Sequence, residues 1–121
     1  MKKKILSEEE IQNIETKIKL YDHTIKISPN DSKAYYGKAL ELIKLDKNEE
    51  ALECLDNAIT LNPNIVLHHA QKANLYTELG RYDDAREQLS KIKSENLSNN
   101  AYDKHIKNII LKVQNKILEF T

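Results

Sequence analysis

Residues 51–64 read ALECLDNAITLNPN, and residues 17–30, KIKLYDHTIKISPN, lie beneath them when the frame is moved back by 34 positions. Tyr21 then falls under Leu55, Asp22 under Asp56, Ile25 under Ile59, Ile27 under Leu61, Pro29 under Pro63 and Asn30 under Asn64. Moved forward by the same period, Ala39 meets Ala73, Ala51 meets Ala85 and Leu55 meets Leu89. A fixed period of this length marks stacked supersecondary units, none of which can bury its apolar face alone. The sequence is therefore expected to form an all-α, helical-hairpin repeat solenoid of about six antiparallel helices.

Composition agrees with that class. The chain has 121 residues, 40% hydrophobic and 31% charged, with only two Gly and two Pro. Its 19 basic and 19 acidic residues cancel. No charge excess steers it to nucleic acid or to an anionic membrane. Arg81 and Arg86 are the only arginines, so most of the positive charge is lysine, better suited to solubility than to bidentate anion recognition. The single Cys54 cannot close an intramolecular disulfide, which suits a reducing compartment. MKKKIL opens like a basic signal-peptide end, but SEEE follows with no apolar stretch, and no run approaches a membrane span. The cytoplasm is the expected location.

The helices follow in order. After a loose start over Met1–Leu6, Ser7 and Glu10 have capping-box spacing, and Glu8, Glu9 and Glu10 suit the positive end of a helix dipole. Ile11, Ile14, Ile18, Tyr21 and Ile25 share one face, and Pro29 sets the end near Ile27. A second helix is expected over Ser32–Lys44, and a third from about Glu49 to Leu61. Asn64 is read as the cap of a fourth, running to Leu79, with Gly80 ending it in the left-handed region. A fifth is expected from Tyr82 to Ile92. Ser98 or Asn99 is read as the cap of the last, Ala101 to about Phe120. Ile106, Ile109, Ile110, Val113, Ile117 and Phe120 form its stripe, and Leu111 and Leu118 lie off it.

Ser32–Ile65 and Val66–Asn99 resemble tetratricopeptide repeats. The first unit carries Tyr35, Ala39, Leu42, Ala51, Leu55, Ala58 and Pro63 in that pattern, and the second Ala73, Tyr76, Gly80, Tyr82, Ala85 and Leu89. There are departures. Asp46 stands for the inner-turn Gly, which predicts a looser turn; His69 stands for the early aromatic, Ile92 for a small residue and Leu97 for Pro. The resemblance implies one domain over 1–121: an N-terminal half-repeat helix at 7–30, repeats at 32–65 and 66–99, and a C-terminal capping helix at 100–121.

It also implies a protein-interaction adaptor or scaffold that takes a peptide or protein segment in the concave groove of its first helices. The groove candidates are Lys33, Tyr36, Leu40 and Ile43, then Ala70, Gln71, Asn74 and Thr77, with His105 from the last helix. A subgroup of the family, the chaperone co-factors, clamps an acidic tail with Lys, Asn and Arg. The corresponding positions here, Tyr36, Leu40, Gln71, Ala101 and His105, carry none of those residues, which argues against an acidic tail. The alternative is a self-associating assembly subunit or homo-oligomer using Leu111 and Leu118. No catalytic residue, metal ligand set or cofactor is implied. His68 and His69 are adjacent and point about 100° apart on a helix, Cys54 has no His at a catalytic spacing, and no Gly-rich phosphate loop or nucleophile elbow is present.

Overall fold

The computed structural model describes residues 5–120, the side chain of Ser94 excepted. Expectations for Met1–Lys4 and Thr121 lie outside the described residues. Six α-helices follow one another: α1 Glu8–Ile27, α2 Ser32–Lys44, α3 Asn48–Leu61, α4 Val66–Glu78, α5 Tyr82–Ser90 and α6 Ala101–Glu119. A 3₁₀ turn over Ser94–Asn96 precedes the last, and no strand occurs among the described residues. The chain divides into two compact units at the Asn62–Pro63 bond, each holding three helices.

In the first unit, α2 packs against both α1 and α3. The capping box starts α1: Glu10 N–H donates to Ser7 Oγ at 3.1 Å, and Ser7 N–H donates to the Glu10 carboxylate at 3.3 Å. Asp31 caps α2 by accepting from the N–H groups of Lys33 and Ala34. The core holds Ile14, Ala34, Ala39, Leu42, Ala51, Leu52, Cys54, Leu55 and Ala58. Gly37 lies in mid-helix, where glycine costs about 1 kcal/mol against alanine. Its reason is steric: a methyl group there would run into the Tyr21 ring on α1.

In the second unit, α4 packs against α5 and α6, and α5 also touches α6. The inward stripe of α6 is buried as its spacing predicts, through Ile106, Ile109, Ile110, Val113 and Ile117, in one cluster with Ala70, Ala73 and Ala85. Phe120 is half exposed and stacks on Tyr82, with ring centres 5.1 Å apart. The last helix is thus attached to the fifth, although α4 carries more of its packing.

Several local expectations need correction. Asn64 does not cap α4; Ile65 holds the cap position and makes no side-chain cap bond. The fifth helix stops at Ser90, two residues short of Ile92. Asn100, not Ser98 or Asn99, caps α6, accepting from Asp103 N–H at 2.8 Å. Ser98 works one step outside: its hydroxyl and N–H both donate to the Asp103 carboxylate, which holds that acid below the usual carboxylate range. The turn after α2 is not looser than the one after α4. Asp46 adopts φ 59° and Gly80 φ 74°, one period apart. Lys47 N–H donates to Leu42 O at 2.9 Å as Arg81 N–H donates to Tyr76 O at 2.8 Å, the same Schellman closure in both units.

Ala51 and Ala85 are each fully buried at equivalent helix crossings. Ala51→Leu and Ala85→Leu should each lower stability by about 1–3 kcal/mol in chemical denaturation, because extra methylenes in a packed crossing force the helices apart; wild-type midpoints for both would refute the crossings. Asp46→Gly should act oppositely and raise stability by up to about 1 kcal/mol, since it relieves a side chain held in the left-handed region. An unchanged or lowered midpoint would show that the Asp46 carboxylate, which accepts from Asn48 Nδ2 at 3.1 Å, outweighs that strain.

Candidate interaction surfaces on the repeat helices

On α2, Lys33 is exposed and Tyr36, Leu40 and Ile43 are half-buried, so the expected face presents two aliphatic side chains and one aromatic partly to solvent. Spacing of three and four residues places Tyr36, Leu40 and Ile43 on a single stripe. Lys38 is turned to α1 instead: its ammonium lies 2.6 Å from Asp22, a hydrogen bond that raises its pKa.

The equivalent face of α4 is less open. Gln71 and Asn74 are half-buried, and the Asn74 amide oxygen is enclosed without a hydrogen-bond partner. Thr77 is only 5% exposed, and its hydroxyl donates to the Asn74 carbonyl at 2.7 Å. Ala70 is wholly inside the α4–α6 cluster. Ala70 and Thr77 are thus buried, Ala70 in the cluster that α6 forms with α4. His105 is exposed. Leu111 and Leu118 are both exposed on the outer side of α6.

The histidines at the start of α4 have a structural role that their spacing alone does not show. His69 occupies the place of Tyr35 one period earlier and is buried. Its Nε2 lies 2.8 Å from the Pro63 carbonyl, and its Nδ1 lies 2.7 Å from Gln88 Nε2. The neutral ring with its proton on Nε2 satisfies both, donating to Pro63 and accepting from Gln88. A single imidazole thus ties the entry loop to α5, where an aromatic ring would only fill space. His68 is also buried, and burial, with a smaller contribution from His69, lowers its pKa. Burial likewise pushes the Cys54 thiol up, keeping it protonated and unreactive. Among the described residues no group of three or more His, Cys, Asp and Glu side chains could hold a metal ion, and no helix is long and apolar enough to cross a membrane.

A tetratricopeptide repeat profile matches residues 32–65, and a second profile of that family matches residues 54–87. These repeats belong to the tetratricopeptide family. Over 68 residues the chain is 32% identical to the STIP1 homolog of Dictyostelium discoideum, which covers 56% of this chain and 12% of that much longer relative. The TPR2B domain of yeast Sti1, solved in a complex with pHsp70, superposes with a TM-score of 0.72 at 25% identity over 87% of this chain and 86% of that domain. Tetratricopeptide repeats are protein-interaction modules, and the paired hairpins seen here, α2–α3 and α4–α5, are their building unit.

His68 gives the second unit a pH dependence whose sign can be stated. Its folded pKa lies below that of the unfolded chain, about 6.5, so the unfolded state binds the proton more tightly. The corresponding stability is present above that pH and is lost as pH falls below it. Denaturation midpoints should drop between pH 7.5 and 5.5, and His68→Gln should flatten that drop. An equal slope in the variant would assign the effect to other groups.

Proposed function

We propose that this chain binds a peptide or unfolded protein segment on the exposed faces of its first helices, with the stripe Tyr36, Leu40 and Ile43 on α2 as the apolar anchor and Lys33 at its edge. The observation that carries this reading is the partial exposure of those three large side chains on a helix whose other side is core. An aromatic residue in such a position is the usual centre of a binding surface. Gln71, Asn74 and His105 are the polar share of the second unit, with Asn74 limited by its inward amide oxygen and Thr77 buried behind them.

The Sti1 domain supports the class of partner, since it was solved with pHsp70. The chemistry of the ligand here differs from an acidic tail. Tyr36, Leu40, Gln71, Ala101 and His105 stand where a carboxylate clamp would need Lys, Asn and Arg, so the preferred segment carries aliphatic or aromatic side chains and modest charge. Binding then depends weakly on salt, because few ion pairs are desolvated, with a dissociation constant on the order of micromolar for so small a contact.

Calorimetry with peptides captured from a library, at two salt concentrations, tests this. Tyr36→Ala should weaken binding by about 1–3 kcal/mol while circular dichroism stays unchanged. Equal affinity in that variant, or a preference for acidic C-terminal peptides that high salt abolishes, would overturn the α2 site.

A further inference from the structure

The first and last helices each leave bare a face that is covered in the helices they are equivalent to. One period separates Lys17, Leu20 and Thr24 of α1 from Ala51, Cys54 and Ala58 of α3. All three residues on α3, which packs against α2, are buried. All three on α1 are exposed, and Leu20 and Ile27, seven residues apart on that side, are 62% and 67% exposed.

α6 shows the complementary situation. Its N-cap, Asn100, follows the N-cap of α4, Ile65, by 35 residues, and Ile65 follows Asp31 of α2 by 34. In this register Asn108 stands where Ala73 and Ala39 do, and Leu111 stands where Tyr76 and Leu42 do. Ala39, Leu42 and Ala73 are buried on helices that pack against the second helix of their own hairpin. Asn108 is exposed; Leu111 is 55% and Leu118, seven residues on, 74% exposed. α1 therefore has the character of a second hairpin helix with its pairing face open, and α6 that of a first one.

We propose that the bare face of α1 in one copy docks on the bare face of α6 in another, antiparallel as α3 lies on α2, completing a hairpin between chains. Charge favours that pairing. An antiparallel fit lays the acidic first turn of α1, Glu8, Glu9 and Glu10, along the C-terminal half of α6, where Lys116 and Lys112, the latter also 3.9 Å from Glu78, lie beside Leu111. A depression of about 350 Å³ lined by Asn108, Leu111, Lys112, Asn115, Lys116 and Glu119 runs along this face and can receive an aliphatic side chain. Leu20 and Ile27 on α1 and Leu111 and Leu118 on α6 are exposed aliphatic residues at heptad spacing, unlike the polar faces of helices that stay solvated. Because the two faces differ, the contact is heterologous. Each added copy leaves one face of each kind open, so growth continues into open chains or closes into rings, of which a pair joined through both unlike contacts is the smallest. The surfaces involved are separate from the Tyr36 stripe, and the proposal stands or falls independently of peptide binding.

The test is light scattering of the whole chain across a wide concentration range, with two double variants. Wild type should rise past the mass of a monomer, and less so at high salt. Leu20→Glu with Ile27→Glu blocks one face, and Leu111→Glu with Leu118→Glu blocks the other. Each alone should remain monomeric with wild-type helicity. Their equimolar mixture should reach about twice the mass of either and grow no further, since one intact face of each kind remains. The milder Leu20→Ser and Leu111→Ser variants should show the same pattern at several-fold higher concentration. A wild-type chain that stays monomeric overturns the proposal. So does a Leu20/Ile27 variant that still dimerises, which would mean that the α6 face pairs with itself, or a mixture that stays monomeric.

Discussion

Close helix approach through side chains no larger than methyl is the constraint on which the rest of the structure depends. Ala39, Ala51, Ala58, Ala70, Ala73 and Ala85 are all fully buried, and each lies on a helix that packs against another in its unit. Alanine at these positions lets backbones approach closely, and Leu42, Leu55 and Leu75 are also fully enclosed. Gly37 takes the same logic one step further, giving up helix propensity so that the Tyr21 ring can lie on the α2 backbone. The crossing residues recur at the repeat period because each hairpin solves the same packing problem. Hairpin stability is thus a matter of size exclusion at a few points, and the remaining surface is free to vary.

That freedom shows in how the two units fill equivalent places. Where the first unit has Tyr35, the second has His69, and the lost ring volume is replaced by two directed hydrogen bonds to Pro63 and Gln88. Gln88 is buried in turn because it answers the imidazole, at a position where Cys54 fills the first unit without any polar demand. Satisfying a buried polar pair this way is worth more than its net hydrogen-bond energy suggests, since either partner alone would be left desolvated. The turns show the opposite tendency. Asp46 and Gly80 differ in chemistry and converge on one geometry, because the Schellman bonds of Lys47 and Arg81 fix the backbone more firmly than side-chain preference does.

The repeat, the helix number and most helix ends are legible in the sequence, because period, proline and apolar spacing act locally or recur. The capping box of Ser7 and Glu10 and the stripe of α6 from Ile106 to Ile117 are of this kind. What is hidden depends on partners distant in sequence. Thr77 and Ala70 read as groove residues by analogy with Ile43 and Tyr36, yet both are buried, Ala70 in the cluster that α6 forms with α4; only the strength of the α6 stripe hints at that cluster. Ile65 takes the α4 cap, at the place of Asp31 one period earlier, although Asn64 has the better chemistry. Gln88 carries no signal of burial until His69 is seen beside it.

The distribution of polarity on the two faces bears on what each can recognise. The Tyr36, Leu40 and Ile43 stripe is aliphatic and aromatic with a single lysine at its edge, so specificity there comes from the shape of apolar pockets rather than from charge. The outer face of α6 is different. It sets two isolated leucines among two lysines, two asparagines and Glu119, a composition too polar for core and too apolar for a solvated cap. Such a face discriminates by charge as well as by fit, because a lysine rim repels another like it and attracts the glutamates that open α1. Two identical α6 faces brought together would oppose Lys112 and Lys116 with their own kind. The rim thus disfavours the symmetric dimer that two exposed leucines would otherwise invite, and it is the sign of the charge, more than the leucines themselves, that selects an unlike surface as the occupant.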